Sequence, residues 1–309
     1  MTSRRAFTVG TRGSRLALRQ TELVVDALRR AHPDREFVMR TVATEGDRRP
    51  DASLRVIGGR GVFVKALESA LLAGEIDLAV HSLKDVPTEL APGLTLAAVT
   101  ERGDVRDALV SRTGARLAAL PAGARVGSGS LRRAAQVLAL RPDLRVVDIR
   151  GNVDTRLRKV TEGEVDAVLL AAAGLDRLGW LDRAAELLDP EVVLPAVGQA
   201  ALTVEVRADD AELAELLAAV HHGPTAAATA AERAFLRGLG GGCAVPVGAY
   251  GRVAGGRLVL DGLVAAPDGS RTVRERAEGS AAEAESVGAR LAEAVLAQGA
   301  ASLLREAEP

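Results

Sequence analysis

The sequence predicts an α/β protein with two domains of related plan, a cleft between them, and a smaller α+β domain at the C-terminal end. Segments 6–24 and 120–140 each read as a strand, a Gly/Ser turn and a helix. Segments 71–85 and 160–176 each lead from a helix through Gly-Glu-apolar-Asp into a strand. Strands that alternate with helices are typical of βαβ units and mostly parallel sheets. The repeated order of units indicates an internal duplication, with a chance similarity of two short helix-to-strand turns as the alternative.

Two irregular stretches predict where the chain passes between the first two domains. One is the polar stretch 100–110, and the other is 194–202, where Pro195 and Gly198 interrupt any regular element. Two crossings indicate that the chain leaves the first domain and later returns to it. The predicted ranges are 1–100 with a return segment at 200–220 for domain 1, 101–199 for domain 2 and 221–309 for domain 3.

Domain 3 is predicted from a change of pattern after His222-Gly223-Pro224. The turn sequence PDGS at 267–270 predicts a hairpin. Apolar residues at helical spacing predict one amphipathic helix across 283–303. The other predicted elements are a helix at 226–236 and strands at 247–253 and 257–265.

Composition limits the classes of function. Hydrophobic residues make up 48% and charged residues 26% of the 309 residues, which is typical of a folded globular protein. The net charge of −1 provides no bulk field that would gather nucleic acid or an anionic membrane. A single cysteine excludes a disulfide framework, and no apolar segment is long enough for a signal peptide or a bilayer span, so we expect a cytoplasmic protein. The four histidines and the cysteine show no ligand spacing, so no metal site is expected.

Two loops rich in glycine and small polar residues, at 11–14 and 128–130, each precede a predicted helix. Backbone N–H groups and the helix dipole make such loops natural anion sites, although Ser and Thr also cap helices routinely. Arg12 lies in the first loop, and Arg132 and Arg133 lie in the first turn of the second helix, where the dipole disfavours positive charge. An anionic ligand explains this placement better than stability does.

Other charged residues follow predicted strands. Arg150, Arg156 and Arg177 lie near strand ends, where α/β sheets place their ligands, with solvated helix faces as the alternative. Lys84 and Asp85 follow the strand IDLAV; only three of the 40 Lys and Arg residues are lysines, so a lysine kept beside an aspartate is informative. Lysine supplies a compact charge, and the aspartate can accept hydrogen bonds or move protons. A structural salt bridge between these two residues is the alternative.

Cys243 lies in the run GGGCAVPVG, where glycines and a following proline disfavour a regular helix or strand. The thiol is therefore expected on a turn that a large group could reach, with a small buried hydrophobe as the alternative. The run 58–68 begins flexible and ends helical. This pattern is typical of a mobile flap over a cleft and equally of an ordinary surface loop.

Nine motifs occur in one order along the chain: TRGSRLALRQ, GGRGVFVKALE, AVHSLKDVP, GSGSLRRAAQ, RPDLRVVDIRGNVDTRL, AAAGLDRLG, LPAVGQAAL, AERAFLRGLGGGCAVPVGAY and VAAPDGS. Together they resemble the hydroxymethylbilane synthase family, also called the porphobilinogen deaminases, over essentially the whole chain. The resemblance implies a cytoplasmic transferase of tetrapyrrole (porphyrin and haem) biosynthesis. Separately, we expect a monomer that binds neither nucleic acid nor membrane. It also implies that the first two domains are related to type II periplasmic binding proteins.

The resemblance implies the chemistry as well. Four porphobilinogen molecules would condense stepwise, with release of ammonia, onto a dipyrromethane cofactor attached through a thioether to Cys243, and hydrolysis would release hydroxymethylbilane. Asp85 would be the catalytic carboxylate, assisted by Lys84, while Arg60 and Phe63 would belong to the flap. The residues implied to bind cofactor and substrate are Arg12, Ser14, Lys84, Ser128, Ser130, Arg132, Arg133, Arg150, Arg156, Arg177 and Gln199.

The sequence departs from the family pattern at three positions. Gly129 stands where the family commonly has serine, Arg60 replaces a more usual lysine, and Ala200 replaces a more usual glycine. A second class of function, a two-lobed binding protein for a small dicarboxylate, fits the duplicated halves and the anion loops but leaves the Cys243 loop unexplained. A third, thiol-dependent acyl transfer, lacks a histidine in a recognisable pattern with Cys243.

Overall fold

The computed structural model of the protein describes residues 6–44, 64–240 and 245–307. Its strands are β1 Phe7–Thr11, β2 Phe37–Thr41, β3 Leu78–Ser82, β4 Leu94–Val99, β5 Asp107–Ser111, β6 Arg125–Gly127, β7 Arg145–Val147, β8 Ala167–Ala171, β9 Glu186–Leu188, β10 Leu202–Arg207, β11 Val247–Ala254, β12 Arg257–Ala265 and β13 Thr272–Ser280. Its α-helices are α1 Arg15–Ala31, α2 Lys65–Leu72, α3 Leu131–Leu140, α4 Val153–Thr161, α5 Ala172–Arg177, α6 Ala211–Leu217, α7 Gly223–Gly238, α8 Ala284–Ala297 and α9 Ala300–Glu306.

The first sheet has the strand order β2-β1-β3-β10-β4. β1 is parallel with β2 and β3, whereas β10 is antiparallel to both of its neighbours. Short apolar runs such as FTVGT and LAVHS form the central strands because such strands are covered on both faces. Phe7, Phe37 and Leu78 belong to the core that this sheet shares with α1. The strand ends, rather than the strand faces, are therefore available to a ligand.

The second sheet repeats this plan with the order β7-β6-β8-β5-β9. β6 is parallel with β7 and β8, and β5 is antiparallel to both of its neighbours, as β10 is in the first sheet. The helix-to-strand turns also match, since Gly74 and Gly163 have φ of 70° and 77°. Asp77 and Asp166 each accept a hydrogen bond at 2.8 Å from a backbone N–H of the neighbouring strand. The predicted internal duplication is confirmed.

The third sheet, β11-β12-β13, is antiparallel and packs against α7 and α8 around Phe235, Val287 and Leu291. The predicted hairpin at 267–270 is confirmed, because it joins β12 to β13. The single helix predicted over 283–303 is wrong. α8 ends at Ala297 and α9 begins at Ala300, because Gly299 between them takes a left-handed φ of 91°. The apolar spacing continues across this break, so the pattern alone reads as one helix.

Glu232 of α7 joins the third unit to both crossing segments. Its fully buried carboxylate accepts hydrogen bonds from Arg102 Nη1 at 2.5 Å, from the Gly198 N–H at 2.7 Å and from the Gly251 N–H at 2.7 Å. Arg102 belongs to the first crossing segment and Gly198 to the second. One carboxylate therefore fixes both connections relative to α7.

These sheets confirm the predicted α/β class with two related units and a smaller α+β unit. We call the first sheet with its helices lobe 1 and the second sheet with its helices lobe 2. β10 lies in the first sheet, so the chain returns to lobe 1 after the second crossing segment. The domain ranges predicted from the sequence stay a prediction. Within the described ranges, no helix is long and apolar enough to cross a membrane.

Candidate active site

A cleft of about 910 Å³ opens between lobe 1 and lobe 2. Its walls come from the segments that follow β1, β3, β6, β7 and β8, which is where α/β sheets bind ligands. The predicted site residues that line this cleft are Arg12, Ser14, Lys84, Asp85, Ser130, Arg133, Arg150, Arg156 and Arg177. The predicted site residues that do not line it are Ser128, Arg132 and Gln199. Three further predictions, Arg60, Phe63 and Cys243, lie outside the described residues.

The two glycine- and serine-rich loops have the same local structure. The Ser14 hydroxyl accepts a hydrogen bond from the Ala17 N–H at 3.2 Å, and the Ser130 hydroxyl accepts one from the Arg133 N–H at 3.5 Å. Both serines are therefore N-caps, as the structural alternative predicted, and both also face the cleft. Ser128 is buried behind this surface.

Gly129 lies close to the neighbouring chain. A Cβ at this position would come within 3.1 Å of the Ile149 carbonyl oxygen and 3.2 Å of an Asp148 carboxylate oxygen. The space beside Gly129 is therefore tight, and a serine here would require Ile149 or Asp148 to shift by a few tenths of an ångström.

Lys84 and Asp85 follow β3 in a short 3-10 turn, Leu83–Asp85. Within the described structure they form no ion pair with each other, and the Lys84 ammonium instead lies 3.5 Å from Gln199 Oε1. Burial, reinforced by the nearby Arg133 guanidinium and partly offset by Asp85, lowers the pKa of Lys84 to about 8. The cleft thus holds a lysine that changes charge close to neutral pH, beside an aspartate.

Arg132 and Arg133 point in different directions. Their contacts correct the sequence-based interpretation that an anionic ligand explains the positions of both. Arg132 is buried, and its Nη1 donates to Asp107 Oδ2 and to the Leu194 carbonyl oxygen, both at 2.7 Å. Arg133 lines the cleft while its Nη2 donates to Asp107 Oδ1 at 2.7 Å. The positive charge at the start of α3 is therefore balanced by a buried carboxylate, so an external anion is not needed to explain Arg132.

Gln199 lies behind the cleft rather than in it. It is fully buried, and its Nε2 donates to Asp107 Oδ1 and to the Val105 carbonyl oxygen, both at 2.8 Å. Its Oε1 lies 3.5 Å from both Lys84 Nζ and Arg133 Nη2. Gln199 is thus placed to orient two cationic groups of the cleft.

Arg156 and Arg177 are partly buried cations that form no ion pair within the described ranges. Arg156 Nε donates to the Gly151 carbonyl oxygen at 2.8 Å, and Arg177 Nη2 donates to the Ala200 carbonyl oxygen at 2.5 Å. The pKa of each guanidinium is lowered to about 10, chiefly by burial and, for Arg156, also by the nearby Arg133. Cations held in this way favour a ligand that carries carboxylates.

Several residues of the site are not evident from the sequence patterns. Asp107 begins β5, and its charge at the start of an apolar strand is the signal that could have indicated it. Arg15 and Trp180 also line the cleft, with the Arg15 guanidinium 5.0 Å from the ring centroid. Arg158, which lies on the same helix as Arg156, lines the cleft as well and is exposed.

The fold and the cleft define a class of protein: a two-lobed α/β protein whose interlobe cleft is lined by basic residues. The family described as "Porphobilinogen deaminase, dipyromethane cofactor binding domain" matches residues 7–215, and "Porphobilinogen deaminase, C-terminal domain" matches residues 226–297. Proteins named porphobilinogen deaminase from Roseiflexus sp. (strain RS-1) and Desulforudis audaxviator are each 53% identical, over 96% and 97% of this chain and 97% of their own length. The chain belongs to the porphobilinogen deaminase family.

Among solved structures, a putative methionine-binding lipoprotein from Bacillus subtilis is similar with a TM-score of 0.43 and 14% identity, covering 70% of this chain and 90% of its own. An arginine-specific periplasmic binding protein from Salmonella typhimurium has a TM-score of 0.38 and 13% identity, covering 70% and 92%. The family assignment rests on the sequence matches alone. It confirms the prediction of a transferase of tetrapyrrole biosynthesis with a dipyrromethane-binding domain, and it disfavours a binding protein without catalysis.

Proposed function

We propose that the interlobe cleft carries out the porphobilinogen deaminase reaction. Four porphobilinogen molecules are condensed in turn, each losing ammonia, onto a dipyrromethane primer, and hydrolysis releases hydroxymethylbilane. The observation that supports this most directly is the set of basic side chains that line one cleft beside Asp85. We further propose that the protein acts in the cytoplasm as a monomer.

The basic residues bind the carboxylates of substrate and growing product. Each porphobilinogen carries an acetate and a propionate, so every addition brings two more negative charges. Arg156 and Arg177, which lack an ion pair within the described structure, are suited to this role because a bound carboxylate would replace their lost hydration. Arg12, Arg133 and Arg150 enlarge the same positive surface.

Asp85 is the catalytic carboxylate in this proposal. Loss of ammonia from porphobilinogen leaves a cation, and a carboxylate fixed on a short turn stabilises positive charge that develops beside it. The same carboxylate can move protons between the substrate nitrogen and water. The protonated Lys84 ammonium supports the step by binding a substrate carboxylate. This contribution weakens as the pH rises through about 8, because Lys84 then loses its charge.

The cofactor is held by the cleft and, in this proposal, through a thioether to Cys243. The basic lining fits a group that bears several carboxylates. When bound, the dipyrromethane supplies the pyrrole carbon to which the first substrate is joined. Cys243 is the one cysteine of the chain and lies in a glycine-rich run, which suits a thiol that must carry a large group.

Denaturing mass spectrometry tests the attachment. The intact protein should carry the added mass of two linked pyrrole units, and after proteolysis that mass should lie on the peptide with Cys243. Cys243→Ala should carry none. An unmodified protein that stays inactive after incubation with porphobilinogen would contradict the proposal.

Ammonia release tests the catalytic role. Asp85→Asn, supplied with preformed cofactor, should retain the dipyrromethane mass yet release ammonia from porphobilinogen at least about 100-fold more slowly. Glu22→Gln, an exposed residue of α1, serves as the control and should match the parent protein. Stoichiometric binding of porphobilinogen without ammonia release by the parent protein would instead favour the two-lobed binding protein.

A further inference from the structure

One buried carboxylate, that of Asp107, lies behind the cleft and receives hydrogen bonds from three different side chains. Arg132 Nη1 donates to Oδ2 at 2.7 Å, while Arg133 donates to Oδ1 from Nη2 at 2.7 Å and from Nε at 3.0 Å. Gln199 Nε2 donates to Oδ1 at 2.8 Å. Asp107 has no exposed surface and does not line the cleft, so it cannot touch substrate itself.

The hydrogen bonds of Asp107 continue into the cleft. Arg133, which it holds through two nitrogens, lines the cleft, and its Nη1 donates to the Leu169 carbonyl oxygen at 3.2 Å. Gln199, which it holds through Nε2, turns its Oε1 toward Lys84 Nζ at 3.5 Å. Lys84 belongs to lobe 1, Arg133 to lobe 2, and Gln199 to the segment that crosses between them. The network therefore spans the two lobes.

We propose that Asp107 is a positioning residue for the reaction: it fixes the Arg133 guanidinium and, through Gln199, the Lys84 ammonium where they receive carboxylates of the substrate. On the buried side, Arg132 pairs with the other carboxylate oxygen of Asp107, Oδ2. This inference rests on the proposed function only in naming carboxylates as the groups received. The placement of Lys84 and Arg133 by Asp107 can be measured without substrate.

The electrostatics of the network agree with this role. Burial raises the pKa of Asp107, but the charges and hydrogen bonds of Arg132 and Arg133 outweigh it and hold that pKa well below its usual range. Asp107 therefore stays ionised throughout the working range of pH. The pKa of Lys84 is lowered to about 8 because burial, Arg133 and Arg132, which lower it, outweigh Asp85 and Asp107, which raise it. Asp107 thus helps to keep Lys84 protonated at neutral pH.

Titration of Lys84 tests the proposal directly. The chain has only three lysines, so protein labelled with 13C at the lysine ε-carbon gives three NMR signals, and Lys84→Met identifies the one of interest. The parent midpoint should lie at about 8. Asp107→Asn should move it down by about 1 pH unit, and Arg133→Gln should move it up. Asp143→Asn, which removes a carboxylate paired with Arg141 elsewhere on lobe 2, should leave it unchanged.

Asp107→Glu separates position from charge. This variant keeps a carboxylate and therefore a counter-ion for Arg132 and Arg133, but moves it by one methylene. The Lys84 midpoint should stay near that of the parent, whereas kcat/KM for porphobilinogen should fall about 10- to 100-fold, because a misplacement of about 1 Å caused by a distant mutation can cost about 100-fold. Asp107→Asn leaves two buried guanidiniums without their counter-ion and could therefore fail to fold. In that case the kcat/KM of Asp107→Glu alone tests the positioning role.

Two results would overturn the proposal. One is a folded Asp107→Asn protein whose Lys84 titrates at the parent midpoint. The other is an Asp107→Glu protein with the kcat/KM of the parent. Failure of the proposed function would look different: the parent protein would lack the dipyrromethane mass and release no ammonia, while the lysine titration would still respond to Asp107.

Discussion

Replacing Arg177 by glutamine should weaken substrate binding without weakening the ligand-free fold. A buried arginine that pairs with a carboxylate has its charge compensated, and removing one partner of such a pair is strongly destabilising. Arg177 forms no ion pair within the described residues, and its Nη2 donates a hydrogen bond to the Ala200 carbonyl oxygen at 2.5 Å. Its charge is therefore maintained at a cost to the ligand-free protein.

The structure sets the size of this cost. Burial lowers the pKa of Arg177 to about 10, and since each pKa unit corresponds to about 1.4 kcal/mol, the buried charge costs on the order of 3 kcal/mol. The hydrogen bond to Ala200 offsets about 1.5–3 kcal/mol of that, as a charged donor does. Arg177→Gln should therefore leave the free energy of unfolding unchanged or raise it by about 1 kcal/mol.

Thermal unfolding and steady-state kinetics measure the two effects separately. The melting temperature of Arg177→Gln should be unchanged or higher by about 2–4 °C. Loss of a desolvated partner for a substrate carboxylate costs about 2–5 kcal/mol, so kcat/KM for porphobilinogen should fall at least about 30-fold.

Arg141→Gln provides the matched control. Arg141 lies outside the cleft and donates to Asp143 and to the carbonyl oxygens of Leu117 and Leu120. Its replacement should lower the melting temperature and leave kcat/KM unchanged. If Arg177→Gln lowers the melting temperature as much as Arg141→Gln does and keeps the parent kcat/KM, the reasoning about uncompensated cleft cations is refuted.

Three further predictions concern stability. Glu232→Gln breaks the buried pair with Arg102 at the crossing segments and should cost about 3–5 kcal/mol in urea unfolding. Gly251→Ala places a Cβ 2.7 Å from the Ala228 carbonyl oxygen and should lower the melting temperature, because overpacking costs about 1–3 kcal/mol. Ala200→Gly should raise stability by about 0.5–1 kcal/mol, because Ala200 has a left-handed φ of 74° and glycine adopts this conformation without strain. A loss of stability in Ala200→Gly would contradict that last prediction.

Local patterns predicted the elements and the cleft. The strand, turn and helix order identified both lobes, and Lys84, Asp85 and most of the basic residues were placed at strand ends where the structure has them. These predictions succeed because strand ends and N-caps depend on residues within a few positions of one another. The split of the C-terminal helix at Gly299 was missed because a left-handed residue does not interrupt apolar spacing.

Long-range pairing was not predictable in the same way. Asp107 receives Arg132 from 25 positions away and Gln199 from 92 positions away, and no short pattern links them. A buried carboxylate that pairs with an arginine inside the protein also changes what that arginine indicates. Such an arginine no longer marks a binding site for an external anion. Arg132 looks like a ligand residue in the sequence and is an internal ion pair in the folded protein.

The net charge of −1 and the capacity to hold a polyanion are compatible because charge balance is local. Asp107 already balances the Arg132 and Arg133 pair in part, whereas Arg156 and Arg177 form no ion pair within the described ranges and burial outweighs the nearby carboxylates. A protein that bound an anionic substrate through bulk charge would bind it weakly at moderate salt, because exposed charges are screened beyond a Debye length. Partly buried cations that the fold leaves uncompensated are screened much less. Binding of porphobilinogen in this cleft should therefore depend weakly on ionic strength and strongly on these two side chains.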